Sequence, residues 1–132
     1  MSPSVRSRKA KGRRLQNWVR DALLCAFPNL KKDEDVCCAI MGESGVDVKL
    51  SRFAQGLFPF SIECKNKETW KGLYDAYDQA ISNADLEPVV VLKMNKRDPL
   101  IVLDFKKFVS IIKESNMKTN LGDLIILHFH ME

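Results

Sequence analysis

The chain has no apolar run approaching the ~18–20 residues that a membrane-spanning helix needs. Its N-terminus is basic with no apolar segment behind it, so no secretory signal is expected and the protein reads as intracellular and cytoplasmic. Paired cysteines are also missing. Cys25, Cys37, Cys38 and Cys64 show no CxxC spacing, whereas a zinc site wants paired ligands at short regular gaps. Each cysteine lies in an apolar stretch, so all four are expected as small, buried, free thiols. There is no glycine-rich phosphate loop, no dinucleotide fingerprint and no Ser-His-Asp arrangement.

Acidic groups are absent from one segment only. Residues 1–20 hold Arg6, Arg8, Lys9, Lys11, Arg13, Arg14 and Arg20 and no Asp or Glu. Of 21 Lys and Arg, 14 remain outside that segment against 17 acidic residues, so the excess positive charge of +4 is confined to it. Such a segment attracts a polyanion and binds it in a salt-dependent way. A solvated arm that aids solubility is the alternative.

What is present fits one domain. The 132 residues are of single-domain length, and 45% are apolar, enough for one core. Residues 1–8 read as a disordered basic arm and residues 9–132 as one domain. From Lys9 a helical stripe runs through Leu15, Trp18, Val19, Ala22, Leu23 and Ala26 to Pro28. Val36 to Met41 reads as a strand, Gly42 to Gly45 as a turn, and Val46 to Leu50 as an alternating strand that completes a hairpin. Residues 51–58 read as a loop, and Phe60 to Asn66 as another alternating strand.

A helix is expected over Thr69 to Ala84, with Trp70, Leu73, Tyr74, Tyr77, Ile81 and Ala84 on its apolar face. Strands follow at Val89–Met94 and Leu100–Leu103 around an Asn95–Pro99 turn, then a helix over Phe105–Lys113 and a strand over Leu124–His130. The order predicts an α/β protein with a central mixed β-sheet flanked by helices.

The alternation carries the chemistry. Asp47 is the acidic interruption of one strand. Glu63 and Lys65 interrupt another and share a face, while Phe60, Ile62 and Cys64 point to the opposite side. If the two strands are neighbours, two carboxylates and an ammonium converge. Paired carboxylates repel and call for a cation. Two carboxylates with several waters suit Mg²⁺, and a nearby lysine can orient or deprotonate an attacking water. A solvated strand face is the plainer alternative.

The segments Gly45-Val46-Asp47-Val48-Lys49-Leu50 and Phe60-Ser61-Ile62-Glu63-Cys64-Lys65-Asn66 resemble the PD-(D/E)xK nuclease signature, with Val46 where the name puts proline. With the basic first helix and the later Tyr77-Asp78-Gln79-Ala80 run, residues 9–104 resemble Holliday junction resolvases and related phage-type nucleases. The resemblance implies a restriction-endonuclease-like core and a Mg²⁺ (or Mn²⁺) dependent endonuclease acting on branched DNA as a homodimer, of the kind phages encode in a bacterial host. Asp47 and Glu63 would bind metal with the Cys64 carbonyl, and Lys65 would position the water. Arg8, Lys9, Lys11, Arg13 and Arg14 would hold DNA phosphates.

The family's first helix often supplies a glutamate to the site. Gln16 aligns there, and Glu43 is a substitute source of carboxylate. Gln79 stands where some relatives carry a functional glutamine. Two alternatives remain at this point: a duplex or end-processing nuclease on the same fold, and a DNA-binding module without the chemistry. Weaker features are His128 and His130 on one face of the last strand, the basic tip around Lys96, and Trp70 and Tyr74, read as core.

Overall fold

A computed structural model of the chain describes residues 4–40, 43, 45–83 and 85–131, with helical side chains as far as 118. The chain is mixed α/β: among the described residues it has four helices and two small antiparallel sheets. It divides into two compact units, residues 1–66 with 109–132, and residues 67–108.

The first unit begins with helix α1, Val5–Ala26. Ser4 caps it by accepting the Ser7 N–H at 3.1 Å, and the Arg8 N–H donates to the Ser4 carbonyl. The helix thus starts one turn earlier than the sequence predicts. Residues 5–8, expected as disordered arm, form its first turn because a capping serine precedes them; residues 1–3 lie outside the described part. Val19 and Leu23 are its buried positions, and the chain leaves it through buried Phe27 and Leu30.

Strands β1 (Val36–Cys38) and β2 (Val48–Leu50), each shorter than the sequence predicts, pair antiparallel as the expected hairpin, with Val36 opposite Leu50 and Cys38 opposite Val48. Helix α1 packs on this hairpin. Val36 and Val48 are fully buried there beside Leu23, and burial of each such side chain stabilises by roughly 1.5–3 kcal/mol.

Residues expected as a loop form a short helix, α2, Arg52–Leu57. Ser51 explains it: its hydroxyl accepts the Ala54 N–H at 3.1 Å and donates to Asp35 Oδ1 at 2.7 Å. Phe58, after α2, is buried and meets Phe60 edge-on with ring centroids 4.7 Å apart.

The strand expected over Phe60 to Asn66 is reduced to one antiparallel bridge, Ile62 opposite Val48. Pro59 has no N–H to give a ladder, and the Phe60 N–H turns back to the Phe58 carbonyl at 2.9 Å. The single mixed sheet of the sequence reading is therefore replaced by two separate two-stranded sheets.

The second unit holds helix α3 (Lys71–Asn83) and strands β3 (Val89–Leu92) and β4 (Leu100–Leu103), paired antiparallel with Val89 opposite Leu103. The turn between the strands includes Lys96 in the left-handed region at φ 65°. Helix α3 packs on β3. Its half-buried positions are Leu73, Ala76, Tyr77 and Ala80, spaced three and four apart. Trp70 and Tyr74, expected in the core, are 38% and 62% exposed, because the packed face is turned toward Ala76 and Ala80.

Helix α4 runs from Phe105 to Met131. The strand expected over Leu124–His130 is part of this helix, since no proline stops it after Lys113. Asn116 on α4 donates to the Leu57 carbonyl at 2.8 Å, which satisfies the C-terminal end of α2.

Candidate active site

Asp47 is held from both sides. The chain approaches it through Gly45, whose φ of 107° is a conformation that favours glycine. The Asp47 carbonyl accepts the Ala39 N–H at 2.9 Å, and the Asp47 N–H donates to the Ile62 carbonyl at 3.1 Å. Its carboxylate then reaches across: Oδ2 accepts the Cys64 N–H at 2.7 Å. A donor that a strand ladder would use is thus taken by a side chain. The upstream acid and the Glu-Cys-Lys run, 17 residues apart, are joined by this bond.

Around it the expected alternation survives in burial. From Ser61 onward Ile62 and Cys64 are half-buried, whereas Ser61, Glu63 and Lys65 are exposed; Phe60, expected on the side of Ile62, is exposed as well. Glu63 Oε1 and Lys65 Nζ stand 3.8 Å apart, both in solvent. An exposed pair of this kind is worth only about 0–1 kcal/mol, so neither charge is locked to the other. The Cys64 thiol is pushed up to about 11, first by burial and then by the negative charges of Asp47, Cys38 and Glu63.

Behind the site, the Cys38 thiol lies 3.5 Å from Asn17 Oδ1 on α1. Burial raises the Cys38 thiol against the opposing Arg20 charge. Gln16, the position expected to stand for the helix glutamate, is half-buried on α1, and it is its neighbour Asn17 that meets the Cys38 thiol of β1. Asn17 was not singled out by sequence. The only available signal is that it follows Gln16 on a helix whose apolar positions face the hairpin.

Glu43 is engaged elsewhere. It pairs with Lys49 and accepts the Ile40 N–H at 2.9 Å. These contacts, the Lys49 hydrogen bond first, hold its carboxyl below the ordinary carboxylate range. Gln79 is exposed on α3 in the second unit, while Asp47, Glu63 and Lys65 belong to the first. Arg8, Lys9, Arg13 and Arg14 are exposed on α1 and Lys11 is half-buried. Arg20 is paired with Asp21 at 2.9 Å. The side chains of His128 and His130 lie outside the described ones.

The donor chemistry can be weighed against a divalent ion. Among the described residues no group of three His, Cys, Asp or Glu stands at metal-holding distance. Mg²⁺ does not require one: it takes one or two carboxylates and fills its shell with water and substrate phosphate. One oxygen of Asp47 is committed to Cys64, and Glu63 is exposed. These carboxylates are the donors on which an open Mg²⁺ or Mn²⁺ site, completed by water and substrate, would draw.

Comparison with protein-family models, curated proteins and solved structures finds no match to the chain. No helix among the described residues is long and apolar enough to cross a membrane.

Proposed function

We propose that this protein is a metal-dependent DNA endonuclease of the PD-(D/E)xK kind, cutting branched DNA such as four-way junctions. The observation that carries the reading is the 2.7 Å bond from the Cys64 N–H to Asp47 Oδ2, which brings the upstream acid to the Glu-x-Lys run. The order along the chain, a helix, a hairpin carrying Asp47, the Glu-Cys-Lys run and a further helix, also supports this reading.

Asp47, Glu63 and the Cys64 carbonyl would hold Mg²⁺ or Mn²⁺. The bound ion would supply charge neutralisation at the phosphate and a lowered pKa of water. Lys65 orients the attacking water toward phosphorus, opposite the departing oxygen. The exposed cations of α1 bind backbone phosphates, which give affinity without sequence information. Selectivity then comes from DNA shape. A homodimer would present two sites to the two symmetric strands of a junction inside the cell.

The test is a cleavage panel of an end-labelled four-way junction, a flap and a linear duplex, with Mg²⁺, with Mn²⁺ and with chelator. The expected result is metal-dependent, paired cuts in the junction. Equal cutting of all three substrates would remove the junction and leave a nuclease. Binding without cleavage under every metal condition would leave a DNA-binding module.

A further inference from the structure

We propose that Trp70 and Tyr74 form a stacking platform for an unpaired nucleotide, which makes DNA with unstacked bases the preferred ligand. This rests on the nuclease reading for its biological setting, but its geometry is independent of it and lies wholly in the second unit.

The placement of the two rings comes from the backbone. The Tyr74 N–H donates to the Trp70 carbonyl at 3.0 Å, the spacing of one helical turn. Trp70 immediately precedes α3, so this bond sets the two residues one turn apart at the N-terminal end of the helix. The face of α3 that packs on its sheet is Leu73, Ala76, Tyr77 and Ala80, and the Trp70–Tyr74 pair is more exposed. Trp70 is 38% and Tyr74 62% exposed, so each leaves aromatic surface open to a partner.

A cation is already in place. Lys67 Nζ lies 4.4 Å from the centroid of the Trp70 ring. Nearby Lys71 pairs with Asp75 at 2.7 Å, and Glu68 is the acidic residue between the two lysines. The Lys67 contact is exposed, where a cation–π pair is weak. A nucleotide can replace it on both counts. Its base offers a π face to the indole ring, and its phosphate offers Lys67 a full negative charge. Stacking on aromatic rings accepts any base, since every base has a π face. A paired base inside a duplex has both faces covered by its neighbours, so the platform selects ends, flaps and branch points.

The experiment uses the full chain with Trp18→Phe, leaving Trp70 as the one tryptophan, in chelator so that no cleavage is required. Titration with an oligothymidylate of about ten nucleotides is followed by tryptophan emission, beside a blunt duplex of matched charge. Saturable quenching by the single strand is expected. Trp70→Ala and Tyr74→Ala, each tested in the otherwise wild-type chain by anisotropy of a labelled strand, should each weaken single-strand binding about tenfold. Their duplex binding should be unchanged. Trp70→Phe, which keeps a ring, should recover most of the loss and guards against misfolding. Unchanged Trp70 emission at saturation, or wild-type single-strand affinity in both alanine variants, would overturn the platform. A protein that cuts junctions without quenching loses the platform alone; one that quenches without cutting under any metal loses the nuclease reading alone.

Discussion

At the scale of the residue, Asp47 has two tasks that can be separated. Its charge belongs to the proposed metal site, and its Oδ2 accepts the half-buried Cys64 N–H. Leaving such a donor without a partner costs roughly 1–3 kcal/mol. Asp47→Ala should therefore lower the denaturant midpoint more than Asp47→Asn, which keeps an oxygen acceptor, while both abolish cleavage. Equal midpoints would contradict the structural task. Glu43 and Asp35 give a pH dependence with a fixed sign. The Glu43 carboxyl is lowered by Lys49 and the Ile40 N–H, and that of Asp35 by the Lys31 N–H and the Ser51 hydroxyl. Each binds its proton less tightly when folded than unfolded. Their contribution is complete above the ordinary values of 4.5 and 3.8, and is lost as pH falls through the lowered folded values. Acid titration of unfolding should be shallower below pH 4.5 in Glu43→Gln than in the wild type. An identical slope would remove Glu43 from the account.

At the scale of the element, what could be read from the sequence depended on whether a single local rule decided it. The Val46–Leu50 alternation placed β2 correctly because one face is buried against α1, and its pairing with β1 followed. The Phe60–Lys65 alternation correctly gave the sides on which Glu63 and Cys64 fall, but not the ladder. Pro59 and the bond between Phe60 and Phe58 use up the chain's pairing capacity, and only tertiary context reveals where the Cys64 N–H goes. The Ser51 cap of α2 is a short signal that Gly56 obscured. Trp70 and Tyr74 fit an apolar face by spacing, yet the smaller Ala76 and Ala80 take the packed side.

Helix α1 carries its own prediction. Its cations begin one turn earlier than the sequence reading allowed, so they sit on a rigid scaffold from Val5 onward. Each phosphate contact contributes about 0.9 to the logarithmic salt slope. Lys9→Gln with Arg14→Gln should flatten the slope for duplex binding by about 2, with folding unaffected. A slope that does not change would take α1 out of the DNA interface.

At the scale of the whole molecule, the buried apolar side chains among the described residues lie in the first unit, which also contains Asp47, Glu63 and Lys65. A site on a packed scaffold keeps its geometry, whereas the second unit, with its two-stranded sheet and half-buried helix, has less to hold it rigid. The structure joins Asp47 to the Cys64 N–H and engages Glu43 with Lys49 and the Ile40 N–H.

The central claim is that Asp47, Glu63 and Lys65 act as one metal-dependent hydrolytic site. The most direct measurement is single-turnover cleavage of a four-way junction in Mn²⁺ by the wild type, Glu63→Ala and Lys65→Ala, with binding followed in parallel. Lys65→Ala should slow cleavage by about 10²–10⁴-fold and Glu63→Ala should reduce it to background, with junction affinity retained in both. Undiminished cleavage in either variant would contradict the claim.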